Sequence, residues 1–270
     1  MQKLHGDGIS SFSLGFEETS HDETAEAQLI ADHLGLDHHP YRMTRDMLRE
    51  SLLQVADCMD EPFGDSTVLP LYILSKLTRD EVKVTLTGWG GDELFAGYDR
   101  YRAVALGGRI DRLPGPLRAV ATSPAWRLLP ASTRQKSLLR RAKRFAEALG
   151  DSPERRYLKW VGIFDSNRRN DLWTDQFRDR LGQHDAAGFL LDAYGECPDR
   201  DFVTRTTCSD VLTYLPCDIL TKVDIASMAY SLECRSPLLD HHVVELAARM
   251  PLSLKRQGSR GKTILVETFG

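Results

Sequence analysis

Three glycines precede two carboxylates in one short stretch, where residues 87–98 read TGWGGDELFAGY. The β-type run 82–86 leads directly into this stretch. Glycines let a chain turn sharply and approach a ligand closely, and exposed amides suit phosphate oxygens. The carboxylate of Asp92 suits Mg²⁺, which favours oxygen ligands shared with phosphates. A bare Gly-Gly-Asp is most often a solvated turn, but the longer string predicts a nucleotide site with Mg²⁺, formed by Gly88, Gly90, Gly91 and Asp92.

A second stretch, residues 214–240, sets charged side chains among apolar ones. These are Lys222, Asp224, Glu233, Arg235 and Asp240. Charges in apolar surroundings must pair or bind something, because isolated burial of a charge is costly. Two interpretations stay open at this point: functional groups of a site, or a structural ion-pair network beneath a helix.

Strands and helices in alternation precede the glycine-rich stretch. Apolar and polar patterning predicts strands over 9–16, 38–43 and 82–87. Ser20 and Glu23 have the spacing of a capping box, Gly35 is a plausible helix stop, and Thr44 can cap the next helix. The expected helices run from the cap at Ser20 to Gly35, from 44 to 57, and from 69 to 77. This alternation predicts a parallel sheet in an α/β fold.

The pattern changes after Tyr101, where no further strand is expected. Residues 106–131 are rich in Gly, Pro and Arg and predict loops and short turns. Helical spacing recurs later in the chain, and the predicted helices are 134–149, 154–164, 201–215, 222–231 and 241–250. We therefore expect an α/β nucleotide-binding part over 1–105 and a helical part over 106–270.

The bulk composition excludes several classes of function. The 270 residues are 41% apolar and carry a net charge of −4, which fits a globular protein with no general affinity for nucleic acid. The basic residues at 140–144 predict one charged helix face. No apolar stretch approaches the roughly 18 residues of a membrane span. We expect neither nucleic acid nor a membrane as a partner.

Cysteines and histidines do not show a metal-binding pattern. The five cysteines lack a CxxC pair, so a reducing, cytoplasmic setting is expected. The adjacent pairs His38-His39 and His241-His242 should point to different sides of a strand or helix. Neither pair is therefore expected to chelate a metal.

Together the two charged stretches resemble the synthetase domain of the asparagine synthetase family. Residues 87–98 resemble its SGEGGDELFGGY signature, and 215–240 resemble its LPDDLLxKVDRxSMAxSLExRxPFLD signature. Residues 11–16 with Asp22-Glu23, and Gly261-Lys262 with the residues that follow, are similar to two further segments. The resemblance covers most of the chain and is weakest around 106–200.

The resemblance implies a parallel sheet of the PP-loop ATP pyrophosphatase type and ATP-dependent amide formation. ATP·Mg²⁺ adenylates a carboxylate such as that of aspartate, and ammonia then displaces AMP. The ammonia would come from glutamine through a glutaminase domain that is absent here. A homodimer is the expected state of the full-length parent.

Position by position, the resemblance also assigns residues. Leu14 would contact adenine through its backbone, and Thr87 and Gly88 would contact the nucleotide at the end of the third strand. Asp92 would help hold Mg²⁺ on the pyrophosphate. The charged family positions near the acyl acceptor correspond to Asp224, Glu233 and Arg235.

Four departures from the family pattern matter. Trp89 replaces an acid, and an indole can neither accept a proton nor bind a metal, which questions asparagine as the product. No segment resembles the pyrophosphate loop SGGxDSS, and with it the first strand is missing. Lys262 is expected to precede the segment that supplies a catalytic lysine, and so not to be its equivalent. Gln2 stands where a glutaminase would carry Cys.

These departures predict a fragment with little or no synthetase activity alone, a hypothesis that robust ATP–pyrophosphate exchange would contradict. Two alternatives remain. One is a non-catalytic remnant, which another chain could complete. The other is a relative that amidates a different carboxylate, such as a sugar acid, or closes a lactam.

Overall fold

A computed structural model describes residues 2–5, 8–17, 22–123, 138–162, 164, 166–182, 185 and 187–270. Within these residues no helix is both long and apolar enough to cross a membrane.

Strands and helices follow one another up to residue 86 as the patterning predicts, with two successive helices before the third strand. The elements are α1 (Gln2–His5), β1 (Ser10–Phe16), α2 (Thr24–Leu34), β2 (Asp37–Met43), α3 (Arg45–Cys58), α4 (Val68–Glu81) and β3 (Val84–Leu86). The Thr44 side chain caps α3 by accepting from the amide of Met47, and Gly35 ends α2 at a φ of 65°. Both of these predicted signals are confirmed.

The capping box predicted at Ser20 is wrong. Helix α2 begins at Thr24, several residues later, and Ser20 itself lies outside the described residues. The local turn is instead made by Asp22, whose carboxylate accepts hydrogen bonds from the amide and hydroxyl of Thr24. An Asp bonding two residues ahead competes with the helix and delays its start.

Short helices dominate the next part of the chain. They are α5 (Gly91–Leu94), α6 (Asp99–Asp111), α7 (Gly115–Ala121), α8 (Leu138–Ala148), α9 (Pro153–Val161), α10 (Ser166–Leu172), α11 (Asp175–Leu181), α12 (Gly188–Gly195) and α13 (Phe202–Leu212). The loops predicted over 106–131 are wrong as far as 121, because α6 continues to Asp111 and α7 follows Pro114 at its amino end. The predicted start of a helix at 134–137 lies outside the described residues.

The carboxyl-terminal elements include a strand that the patterning did not predict. A π-helical turn (Leu215–Leu220) leads into α14 (Thr221–Met228), and then come β4 (Glu233–Arg235), a 3₁₀ turn (Pro237–Leu239), α15 (His241–Arg249), α16 (Leu252–Lys255) and α17 (Thr263–Phe269). Strand β4 corrects the expectation that no strand follows Tyr101. Its three residues are too few to show an alternating pattern.

Both strand pairs in the described part of the chain are parallel, as predicted. β1 pairs with β2 in the register Ser10 opposite Asp37 through Phe16 opposite Met43. β3 pairs with β4, Val84 opposite Glu233 and Leu86 opposite Arg235. The α/β class with parallel strands is confirmed, and the PP-loop type of sheet stays a prediction.

The chain divides into two compact units, one of 1–88 with 217–237 and one of 89–216 with 238–270. These units have other bounds than the predicted parts 1–105 and 106–270. The predicted division into those parts stays a prediction. In the first unit Val55, Val68, Tyr72 and Ala226 form a buried apolar cluster. A larger cluster in the second unit surrounds the fully buried rings of Tyr101, Tyr157 and Tyr194.

Candidate active site

Gly90 and Gly91 pack against the residues just before α15. Gly90 has a φ of +87°, and a Cβ built on it would lie 2.2 Å from Cδ2 of Leu239. A Cβ on Gly91 would lie 3.0 Å from Cδ1 of Leu238. Glycine is therefore required at 90 both by backbone conformation and by close packing.

Asp92 is positioned at the start of α5 and forms an ion pair with Lys262. The Lys262 Nζ lies 2.9 Å from Oδ2 of Asp92, although the two residues are 170 positions apart. Both side chains are partly exposed, 33% for Asp92 and 38% for Lys262. The sequence predicts only that Lys262 is not the equivalent of the family's catalytic lysine, and it assigns Lys262 no role; the structure brings Lys262 to the predicted metal ligand.

Tight backbone packing fixes this ion pair. The amide of Lys262, in a left-handed conformation, donates to the carbonyl of Phe95. A Cβ on Gly261 would lie 2.3 Å from the Ala96 carbonyl oxygen, and one on Gly97 would lie 2.0 Å from Oδ1 of Asp92. Both glycines therefore allow α17 to begin beside Asp92.

Glu93, the neighbouring acid, faces inward instead. Its carboxylate is 1% exposed and accepts a hydrogen bond from the Tyr98 hydroxyl at 2.5 Å. Burial raises the pKa of Glu93, although the Tyr98 hydrogen bond acts in the opposite direction. Glu93 therefore anchors the turn, whereas Asp92 remains available to a ligand.

A buried polar cluster supports helix α6, which follows this turn. Asp210 in α13, 1% exposed, accepts hydrogen bonds from the hydroxyls of Tyr101 at 2.5 Å and Tyr157 at 2.5 Å. Arg100 Nη2 also donates to Asp210, at 3.0 Å, and its guanidinium lies 3.9 Å from the centre of the Tyr98 ring. This cluster ties α6, α9 and α13 together.

In the first unit, Thr87 and Gly88 follow β3 directly. The Thr87 amide donates to the carbonyl of Arg235 at 2.8 Å, and its hydroxyl oxygen lies 2.9 Å from that of Ser236. Gly88 is exposed, with open space where a side chain would stand. Leu14, half-buried in β1, pairs opposite Tyr41.

The three charged residues predicted near the acyl acceptor all lie on the surface. Glu233 and Arg235 are more than half exposed and pair with each other through Oε1 and Nε at 2.7 Å. Asp224 is exposed on α14. Their catalytic roles stay predictions.

Lys222 is the buried charge of this stretch. It is 5% exposed and pairs with Asp65 and, at 3.0 Å, with Asp218. Burial alone would lower the pKa of Lys222, but the two carboxylates raise it above its ordinary value. The structural ion-pair interpretation is confirmed for Lys222, with Asp65 and Asp218 as partners that the sequence reasoning missed. The i, i+4 spacing of Asp218 and Lys222 was the available signal.

One group of side chains that could hold a metal ion occurs among the described residues, and it lies away from Asp92 in the sequence. Ligand atoms of Asp240, His241 and His242 lie within 4.8 Å of one another, all on exposed side chains. The two histidine rings are 3.8 Å apart, so the expectation that they point to different sides is wrong. Imidazole ligands do not favour Mg²⁺, so this is not the predicted magnesium site.

Comparison with known proteins agrees with the signatures in this chain. Residues 1–270 match the asparagine synthase family. The chain is 32% identical over 251 residues to a putative asparagine synthetase (glutamine-hydrolyzing) of Mycobacterium tuberculosis, covering 93% of this chain and 37% of that protein. It is 29% identical over 258 residues to asparagine synthetase (glutamine-hydrolyzing) 1 of Bacillus subtilis, covering 95% of this chain and 39% of that protein.

A more distant relative carries a different name. The amidase chyE of Penicillium rubens is 28% identical over 269 residues, covering 92% of this chain and 38% of that protein. The chain thus spans less than two fifths of the length of these relatives. With a family match along its whole length, the chain belongs to the asparagine synthase family.

Proposed function

We propose that this chain is the synthetase part of an ATP-dependent, amide-forming ligase. In this proposal a carboxylate is adenylated by ATP·Mg²⁺ and is then attacked by ammonia derived from glutamine. Family membership supports the reaction class. The single observation that carries the site is the ion pair of Asp92 with Lys262, which sets an anionic oxygen beside a cationic donor on a glycine-rich turn.

The residues present fit Mg²⁺ held together with phosphates. Mg²⁺ keeps most of its water and usually takes only one or two protein carboxylates, the rest coming from substrate phosphates. Asp92, one-third exposed, would supply that carboxylate oxygen. When bound, Mg²⁺ would neutralise charge that builds on the departing pyrophosphate.

The chain's own groups would orient the nucleotide. Lys262, 38% exposed, would donate N–H groups to phosphate oxygens once Asp92 turns to the metal. The exposed backbone at Gly88 leaves room for close approach of a nucleotide, and Thr87 holds that backbone to Arg235. We assign the same nucleotide-binding role to the backbone of Leu14, Gly90 and Gly91.

The carboxylate that accepts the adenylyl group is aspartate or another acid. Trp89 offers one N–H donor and a flat apolar face where an acid is expected. An acceptor with more apolar or ring character than aspartate would suit this indole. Asp224, Glu233 and Arg235 are the charged residues that we propose near such an acceptor.

ATP–pyrophosphate exchange with a panel of carboxylates tests this proposal. The expected result is slow exchange that requires one carboxylate and falls at least tenfold in Asp92→Asn, because the metal ligand is lost. Asp224→Asn should raise the carboxylate concentration needed for half-maximal exchange more than it raises the ATP concentration needed. If ATP binds but no carboxylate supports exchange, adenylation by this chain is wrong.

A further inference from the structure

Two cysteines outside the candidate site lie side by side in the second unit. Cys197 follows α12, and Cys208 lies within α13. Their sulfur atoms are 2.8 Å apart, and both thiols are half-buried and free. A disulfide needs a sulfur–sulfur distance of about 2.05 Å, so closing the bond requires a movement of less than about 1 Å.

The surrounding contacts hold the two cysteines in this arrangement. The Tyr194 and Phe202 rings stack with centroids 5.4 Å apart, and the Tyr194 hydroxyl donates to Oγ1 of Thr206 at 3.2 Å. Asp201 caps α13 by accepting from the amides of Val203 and Thr204, each at 3.0 Å. The connection between α12 and α13 is therefore fixed on both sides of the cysteine pair.

The pair is reachable from solvent, because both thiols are partly exposed and a surface depression borders Cys208. Cys208 lines a cavity of about 480 Å³ together with Phe189, Asp192, Glu196 and Leu212. The geometry thus joins proximity of two thiols with access for a reagent.

We propose that Cys197 and Cys208 are a reversible redox modification site, closed to a disulfide by exchange with a small-molecule disulfide. In the first step the Cys197 thiolate attacks one sulfur of the reagent disulfide. A mixed disulfide forms at Cys197, the reagent disulfide bond breaks, and one reagent thiolate leaves. In the second step Cys208 attacks the Cys197 sulfur and expels the other reagent thiolate. The two protein thiols lose two protons and two electrons, and the reagent is reduced to two thiols.

The electrostatics of the pair support this order of steps. Burial and the contact with Cys197 raise the pKa of Cys208 to about 12, so at neutral pH it is a poor first nucleophile. The nearby Lys255, itself 6% exposed, lowers the pKa of Cys208 against these effects, whereas Glu196 raises it. Lys255 therefore offsets only part of the rise, and the second step relies on the 2.8 Å separation of the two sulfur atoms rather than on a large fraction of Cys208 thiolate.

The test equilibrates the 270-residue chain with reduced and oxidised glutathione at several ratios, followed by acid quenching, alkylation and mass spectrometry. The expected peptide map contains a pair of peptides joined through Cys197 and Cys208, lighter by about 2 Da than the two reduced peptides together. Cys217→Ser, which removes an exposed thiol, should leave this cross-link unchanged. Cys208→Ser should instead retain a mixed disulfide at Cys197.

Unfolding supplies the second arm of the test. In urea, at the same glutathione ratio, the cross-linked fraction should fall at least tenfold, because the native packing supplies the proximity. Two results would overturn the proposal. One is the absence of the cross-link at ratios that fully oxidise Cys217, and the other is equal cross-linking of the folded and unfolded chain.

Discussion

Asp92 and Lys262 form a pair that stabilises the fold weakly and remains open to a ligand. Both side chains are about one-third exposed, and ion pairs of that kind contribute only about 0–1 kcal/mol to the free energy of unfolding. The backbone around them includes left-handed Ala96 and Lys262, and this strain lowers the free energy of unfolding by more than such an ion pair raises it. We infer that the arrangement is kept for binding.

Gly90 permits a direct test of the tight turn. Gly90→Ala should lower the free energy of unfolding by about 1–3 kcal/mol, because the added methyl group meets Leu239 and φ is positive. Gly88→Ala is the matched control, since its Cβ meets nothing within 4 Å, and it should change stability by less than about 0.5 kcal/mol. Urea unfolding measures both; equal midpoints would show that the packing at Gly90 is misassigned.

Glu93 gives the turn a dependence on pH. Its pKa in the folded protein is raised above the ordinary 4.5 by burial, with Asp92 and Asp210 adding to the rise. A raised acid pKa contributes stability that is fully present below pH 4.5 and is lost as pH rises through the folded-state pKa. The unfolding free energy of the wild type should therefore fall relative to Glu93→Gln as pH rises to neutrality.

Unfolding of both proteins in urea across this pH range checks the prediction. Glutamine keeps an oxygen that can accept from the Tyr98 hydroxyl, so the comparison isolates ionisation. Glu267→Gln, exposed on α17, is the control and should show no such trend. A difference that stays constant or grows with pH would contradict the assignment.

At the scale of elements, the strands show what the sequence can and cannot predict. β1 and β2 were predictable because each has seven residues, bounded by Gly or Thr turn signals. β4 was not, because its three residues form a strand only by pairing with β3, about 150 positions away. The contact of Lys262 with Asp92 is long-range in the same way, and no local pattern reports it.

Helices α6, α9 and α13 depend on one shared acceptor. Asp210→Asn should destabilise the second unit by about 3 kcal/mol, since the buried charge that receives Arg100 and two tyrosine hydroxyls is lost. Asp175→Asn removes an exposed pair with Arg178 and should cost less than about 0.5 kcal/mol. Thermal unfolding of the two variants measures the contrast; similar melting temperatures would refute the anchoring role of Asp210.

At the scale of the whole molecule, the predicted site residues divide between the two compact units. Leu14, Thr87, Gly88 and the charged residues Asp224, Glu233 and Arg235 belong to the first unit. Gly90, Gly91 and Asp92 belong to the second, so the glycine-rich stretch itself contains the boundary at Gly88 and Trp89. The family signatures could be recognised from the sequence because they are contiguous; the division into units could not, since 217–237 rejoin a distant segment.

We propose above all that Asp92 helps bind ATP through Mg²⁺. Saturation-transfer NMR of the 270-residue chain with ATP measures this directly, because it detects even weak, millimolar binding. We expect ATP signals that strengthen on addition of Mg²⁺ and lose that dependence in Asp92→Asn, while Asp175→Asn behaves as wild type. ATP signals that are independent of Mg²⁺, or identical in Asp92→Asn and wild type, would contradict the claim.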